Sequence, residues 1–193
     1  MVSQYDIGTV VMLNSLEGKE VYPQYWPSKG STRYGNITLE MLSESTANGI
    51  TTRKISIANT EPPKKNSTVQ HLQFTAWSDP NSCPDPQEIL RLLTAVQKSQ
   101  QQTGNGTIVF QCSDGVGRSG VAATVMSAIE KLKNEQTVDV LQTVNLIRVK
   151  KTLCCFKCGA IHVVLQDNPS IFGFLWRICE LLKAIVLWIT NGL

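Results

Sequence analysis

The chain has 193 residues, 42% of them apolar and 17% charged, with 13 glycines and 8 prolines. That mixture buries a core, which excludes wholesale disorder and collagen-like repeats, and the length suits one domain or one domain with an appendage. Lys and Arg exceed Asp and Glu by 18 to 15, a net charge of +3 without a clustered basic face, and aromatics at 7% are too scattered for base stacking, so nucleic acid is not an expected partner.

The first half reads as strands separated by turns. Thr9 to Leu13 is a short apolar run with β-branched residues, and Asn36 to Leu42, Thr51 to Ala58 and Val69 to Thr75 follow with rough alternation. Glu61 to Ser67 reads as a loop, because Pro62 and Pro63 cannot join a ladder. Antiparallel sheet is the expectation for this half.

The second half reads as helices around one strand. Asp85 is an N-cap candidate with Pro86 at the first helical position and Glu88 at the third; Ile89, Leu92, Leu93 and Val96 then repeat at helical spacing to Gln101. Thr107 to Gln111 is a short strand of the buried type. A second helix starts near Arg118, with Val121, Val125, Ala128, Ile129 and Leu132 on one face. A third spans Thr137 to Val149, aligning Val140, Leu141, Val144 and Ile147. These stripes are core rather than function.

Cysteines at 83, 112, 154, 155, 158 and 179 lack the spacing of a disulfide scaffold, which points to a reducing compartment. Met1 to Leu13 has neither the basic start nor the apolar stretch of a signal peptide. The glycan-acceptor patterns at Asn36, Asn66 and Asn105 are then read as chance matches.

Chemistry concentrates in Cys112-Ser113-Asp114-Gly115-Val116-Gly117-Arg118-Ser119-Gly120, between a strand and a helix. A glycine-rich turn there exposes successive N–H groups and the positive end of the helix dipole, which together bind a phosphate-sized anion. Cys112 at the strand end would lie under that anion, where the dipole and Arg118 favour its thiolate. A thiolate attacks phosphorus, and Arg118 can offer its planar fork to two phosphate oxygens. Ser119 could donate to the sulfur and help it leave. The competing reading is a buried cysteine in an ordinary turn. Gly115, Gly117 and Gly120 also match a dinucleotide-binding pattern, but the acid it needs, Asp139, opens a helical pattern instead of ending a strand.

Cys112 to Gly120 resembles the signature loop of the protein tyrosine phosphatases. Val10 to Leu13 followed by Gln24-Tyr25-Trp26-Pro27 resembles that family's strand and its Tyr-Trp-Pro element, and Trp77-Ser78-Asp79 resembles its mobile Trp-Pro-Asp loop. The resemblance covers residues 5–149 and implies an α/β fold: a central twisted mixed sheet flanked by helices, the cysteine-dependent phosphatase fold, incomplete at both ends. It implies Cys112 as nucleophile, Asp79 as general acid, and Arg118 with Ser113, Asp114, Gly115, Val116 and Gly117 as the phosphate cradle. Phosphotyrosine proteins are the implied substrates, another phosphatase domain the implied partner, and no metal or cofactor is implied.

Three departures lower the expected activity. Gln111 replaces the family's histidine before the cysteine, Ser78 replaces the proline of the mobile loop, and Asp114 adds a carboxylate to the anion loop. Such changes resemble the second, membrane-distal domains of receptor-type members, which implies a cytoplasmic setting at the inner face of the plasma membrane. The family's phosphotyrosine-recognition loop and glutamine loop have no assignable counterpart. A catalytically impaired module that binds phosphoproteins is the alternative, and a fragment that does not fold alone is a third reading.

Residues 150–193 are read as a separate tail. Cys154, Cys155, Cys158 and His162 lack a second ligand pair for structural zinc. Ile171 to Ile189 is apolar, but Arg177, Glu180 and Lys183 outweigh its apolar residues on an insertion scale, which disfavours a membrane span. Contact with a membrane surface remains an expectation for it, beside packing on the domain or no selected role.

Overall fold

In a computed structural model, residues 2, 4–16, 23–61, 66–77 and 84–150 are described. The strands are β1 (Ile7–Met12), β2 (Ser31–Tyr34), β3 (Ile37–Ala47), β4 (Ile50–Asn59), β5 (Asn66–Phe74) and β6 (Thr107–Gln111). The helices are α1 (Pro86–Gln102), α2 (Gly117–Glu135) and α3 (Val140–Lys150). Strand order is β2-β3-β4-β5-β1-β6, a mixed six-stranded sheet. The α/β expectation holds.

Strands β2 to β5 form an antiparallel meander, and the β3–β4 turn is tight because Asn48 and Gly49 both take positive φ, 52° and 73°. The expectation of a wholly antiparallel first half fails at β1, which pairs parallel with β5 and with β6. The signal was present as a near-continuous apolar run, since a strand covered on both faces loses its alternation. Asn66 and Ser67, read as loop, belong to β5 and pair with Ala58 and Ile57. β2 went unread because its four residues carry no apolar alternation.

Residues 1–78 with 94–113 form one compact unit, and residues 79–93 with 114–193 form another. In the first, Ile7, Val10, Met12, Trp26, Ile55, Ile57 and Val69 make the core. Thr9, fully buried, turns its hydroxyl to Ser99 (3.1 Å) and to Oε1 of Gln100 (3.0 Å), tying β1 to the end of α1. In the second, Ile89, Leu92 and Leu93 of α1 are buried, as are Val121, Val125 and Ala128 of α2. Asp85 caps α1 as expected, accepting from the Gln87 amide at 2.8 Å. α2 closes on Gln136 in the left-handed conformation. α3 begins later than expected, because Asp139 caps it through the Gln142 amide (2.8 Å); Leu141, expected in the stripe, is 40% exposed.

Among the described residues, His71 is a buried group whose titration is strongly shifted. His71 of β5 lies opposite Arg53 of β4 in the ladder and is 1% exposed. The Arg53 guanidinium lies 4.6 Å from the Trp26 ring centre, donates to Oε1 of Gln73 at 2.9 Å and pairs with Glu44. Burial, and secondarily the Arg53 charge, lower the His71 pKa from 6.5 to about 3.

Two predictions follow from this packing. A methyl on Gly8 would stand 2.8 Å from Cβ and Oγ1 of Thr103, both firmly held, so Gly8→Ala should cost about 1–3 kcal/mol in urea denaturation. Unchanged stability would mean that the α1 end is not held against β1. Because unfolded His71 binds a proton that the folded form refuses, stability should fall as pH drops from 6.5 towards about 3. His71→Gln should reduce that acid slope in thermal melts; an identical slope would mean another group sets it.

Candidate active site

Cys112 directly follows β6, whose carboxyl end is fixed by its parallel neighbour. Met12 stands in register with Gln111, and the Leu13 amide donates to the Gln111 carbonyl at 2.8 Å. The carboxyl ends of parallel strands are where α/β sheets bind ligands, because the turn into the next helix leaves backbone amides unused. Cys112 carries a half-buried thiol, and α2 begins five residues later at Gly117.

Gly115 takes φ +65°, a conformation that L side chains rarely adopt, and so allows the loop to turn into the helix. Val116, the N-cap by backbone position, makes no side-chain cap. Asp114 supplies the cap instead. Its Oδ1 accepts from the Val116 amide (2.9 Å) and the Gly117 amide (3.0 Å), and Oδ2 lies 3.3 Å from where a Gly117 Cβ would stand. Two amides expected to cradle phosphate therefore bond to a carboxylate of their own loop. This is favourable by itself, since an anion at a helix N-terminus meets the positive end of its dipole. Arg118 and Ser119 follow in the first turn, 3% and 7% exposed.

Of the expected site residues, Asp114, Val116 and Gly117 are brought together by these bonds. Asp79 and Ser78 lie outside the described residues, as do Cys154, Cys155, Cys158 and His162; Trp77, just before that loop, is buried at 3%.

The sequence reading missed what lies behind Gln111. The Tyr25 hydroxyl donates to Gln111 Oε1 at 2.9 Å, and His71 Nε2 is 2.9 Å from the same hydroxyl oxygen. A hydroxyl that donates to Gln111 accepts from His71, so His71 carries its proton on Nε2. Its other nitrogen, Nδ1, is buried without a hydrogen-bond partner. Burial raises the Tyr25 pKa to about 12, so the hydroxyl keeps its proton. The Tyr25 ring meets Trp26 edge-on at 4.9 Å and His71 at 5.7 Å. The available signal was the polar trio Gln70, His71 and Gln73 in a strand that otherwise reads as core.

Comparison with known proteins gives the family. A family model described as protein-tyrosine phosphatase matches residues 1–165. Mouse receptor-type tyrosine-protein phosphatase alpha is 35% identical over 153 residues, covering 78% of this chain and 18% of that protein. Its human counterpart is also 35% identical, with 19% of its length covered. Mouse receptor-type tyrosine-protein phosphatase epsilon is 32% identical over 188 residues, covering 90% of this chain and 26% of that protein. The chain thus spans about a fifth to a quarter of the length of these relatives. A glycine-rich turn from a parallel strand into a helix, led by a cysteine and entered by an arginine, accompanies that match: the chain belongs to the protein-tyrosine phosphatase family.

Proposed function

We propose that the chain is a protein tyrosine phosphatase segment working through a cysteinyl-phosphate intermediate, with low turnover. The observation that carries this reading is Cys112 at the carboxyl end of β6, followed by the turn at Gly115 and the N-terminus of α2. In the first step the Cys112 sulfur attacks phosphorus, the bond from phosphorus to the tyrosyl oxygen breaks, and Asp79 gives the leaving phenolate its proton. In the second, water attacks phosphorus, the bond to sulfur breaks with help from Ser119, Asp79 takes the water proton, and inorganic phosphate leaves. Arg118 and the backbone of Ser113 to Gly117 hold the phosphoryl oxygens while charge spreads over them. The reaction so written draws on side chains and backbone alone.

Phosphotyrosine proteins are the proposed substrates and another phosphatase domain the proposed partner. The names of the relatives support a setting on the cytoplasmic side of a membrane-anchored receptor. Among the described residues, no helix is long and apolar enough to cross a membrane.

A second reading, a module that binds a partner phosphatase domain without turnover, is favoured by Asp114 over one that binds phosphoproteins. Its carboxylate competes with phosphate for the Val116 and Gly117 amides, and its charge repels a phosphate dianion. Asp114→Ala should therefore tighten orthovanadate binding about tenfold in a titration, from two freed amides and one charge removed. Unchanged affinity would mean that the carboxylate does not obstruct the loop. The two readings separate by mass spectrometry after brief mixing with a phosphotyrosine peptide. A phosphate adduct on Cys112, absent in Cys112→Ser, is the expected outcome; its absence on a folded chain would leave the binding module.

A further inference from the structure

At the end of the sheet away from Cys112, a polar cleft of about 500 Å³ opens where β1 and β5 begin and α1 ends. Cys112 follows the far end of β6, which runs parallel to β1. The length of β1 separates the two places, roughly 15–20 Å at about 3.3 Å per residue. We propose that this cleft is a second binding site, for a small polyol that carries one anionic group, a phosphate ester or a carboxylate. The proposal does not rest on the phosphatase reading.

The cleft follows from register. Lys54 of β4, Gln70 of β5 and Thr9 of β1 stand in one row across three strands, and neighbours in register share a face of the sheet. Thr9 is covered by the end of α1, through Ser99 and Gln100. Farther along the row no such bond reaches Gln70, which is half-buried, or Lys54, which is exposed. Gln102, the last residue of α1, and Thr103 after it line the cleft beside them. Gly8 lines it as well, at a point where the β1–β6 register shifts between Ile7 and Thr9. Such irregularities take backbone out of the ladder and recur beside binding sites.

The chemistry of the lining sets the class of ligand. The side chains of Lys54, Asn66, Thr68, Gln70 and Gln102 make no hydrogen bond or ion pair with the described residues, so their polar groups are open to a ligand. Amides and hydroxyls both donate and accept, and so does every hydroxyl of a polyol. A flat aromatic ring would need an aromatic face and an acyl chain an apolar wall. Among the described residues that line the cleft none is aromatic, and Ile7 is the one large aliphatic side chain. The Lys54 ammonium is the partner for an anionic group. Asp6, also on the lining, limits the ligand to one such group, since a second would meet its carboxylate. The volume lies within the range of small-molecule sites, about 300–1,000 Å³.

The test is a titration of the full, isotope-labelled chain followed by amide NMR shifts, with glucose 6-phosphate, glucuronate, glucose and inorganic phosphate as probes. At least one of the two anionic sugars should bind saturably, with a Kd of about 1 mM or tighter, which a ligand of that size reaches at ordinary efficiency. It should move the amides of Gly8, Gln70 and Gln102 and leave those of Gly115 and Gly117 in place. The tighter of the two shows whether a phosphate ester or a carboxylate is the preferred anion. Glucose lacks the charge and inorganic phosphate lacks the hydroxyls, so each should bind the cleft about tenfold more weakly. Lys54→Gln should weaken the anionic sugar about tenfold and Gln70→Leu about fivefold, the weight of one charge-assisted and one neutral hydrogen bond.

No saturable shift with either anionic sugar, shifts confined to Gly115 and Gly117, or an unchanged affinity in Lys54→Gln would each overturn the proposal. Inorganic phosphate or glucose binding the cleft as tightly as the anionic sugars would overturn it too, because the cleft would then recognise an anion or a polyol alone. Lys54 is exposed, so Lys54→Gln should fold as the unaltered chain does by circular dichroism, and it decides the matter by itself if Gln70→Leu does not fold. Failure of the phosphatase reading is a separate result, since it would appear as no phosphate adduct on Cys112.

Discussion

The parallel pairing of β1 with both β5 and β6 is the constraint on which the rest depends. A parallel ladder cannot be closed by a tight turn, so the chain must travel away from β5 and return before β6 can form. Helix α1 makes that passage, and its end is tied to β1 through Thr9, Ser99 and Gln100. Thr103 approaches Gly8 so closely that β1 can carry no side chain there. The same pairing fixes where β6 stops, through Met12 opposite Gln111 and the Leu13 amide on the Gln111 carbonyl. Cys112 stands where it does because β1 sets the length and register of its neighbour.

A second constraint lies inside the sheet. Arg53 is nearly buried, yet its charge is answered by Glu44, by Gln73 and by the face of Trp26. Burial first, and that fixed cation second, keep His71 across the ladder neutral, and a neutral imidazole offers one donor and one acceptor. The donor goes to Tyr25 and the acceptor goes unused. Polar groups in a core are unfavourable unless each is satisfied, and this set is satisfied except at one atom. The exception lies in the network that reaches Gln111 at the end of β6.

What the sequence made legible follows the range of the interactions involved. Strand β6 was read to its ends because the apolar run Ile108 to Phe110 is bounded by turns, although its residues are half-buried or exposed rather than buried as expected, and α1 because Asp85, Pro86 and the spacing of Ile89, Leu92, Leu93 and Val96 are local signals. The direction of β1 was not legible, since its partners lie far along the chain and direction leaves little mark on composition. Tyr25 was noticed only as part of a resemblance; its bonds reach His71 across 46 positions and Gln111 across 86, and no pattern in a window of residues encodes them. For Asp114 the residue was read as an intrusion into the loop, while its part as the cap of α2 depends on side-chain geometry two and three residues away.

That double part of Asp114 bears on how strongly the loop can hold an anion. The amides of Val116 and Gly117 are orphans of the α2 N-terminus and must be satisfied by something. With Asp114 beside them the ligand is already attached to the chain, so its effective concentration far exceeds that of any free phosphate. An N-cap carboxylate contributes about 1 kcal/mol to its helix, and an incoming phosphate must replace that contribution before it gains anything itself. The phosphate also brings more charge than the group it displaces, which favours it at the helix dipole but sets it against the displaced carboxylate unless that side chain swings away. Under the proposed reading, affinity is therefore governed by whether Asp114 can leave its own loop.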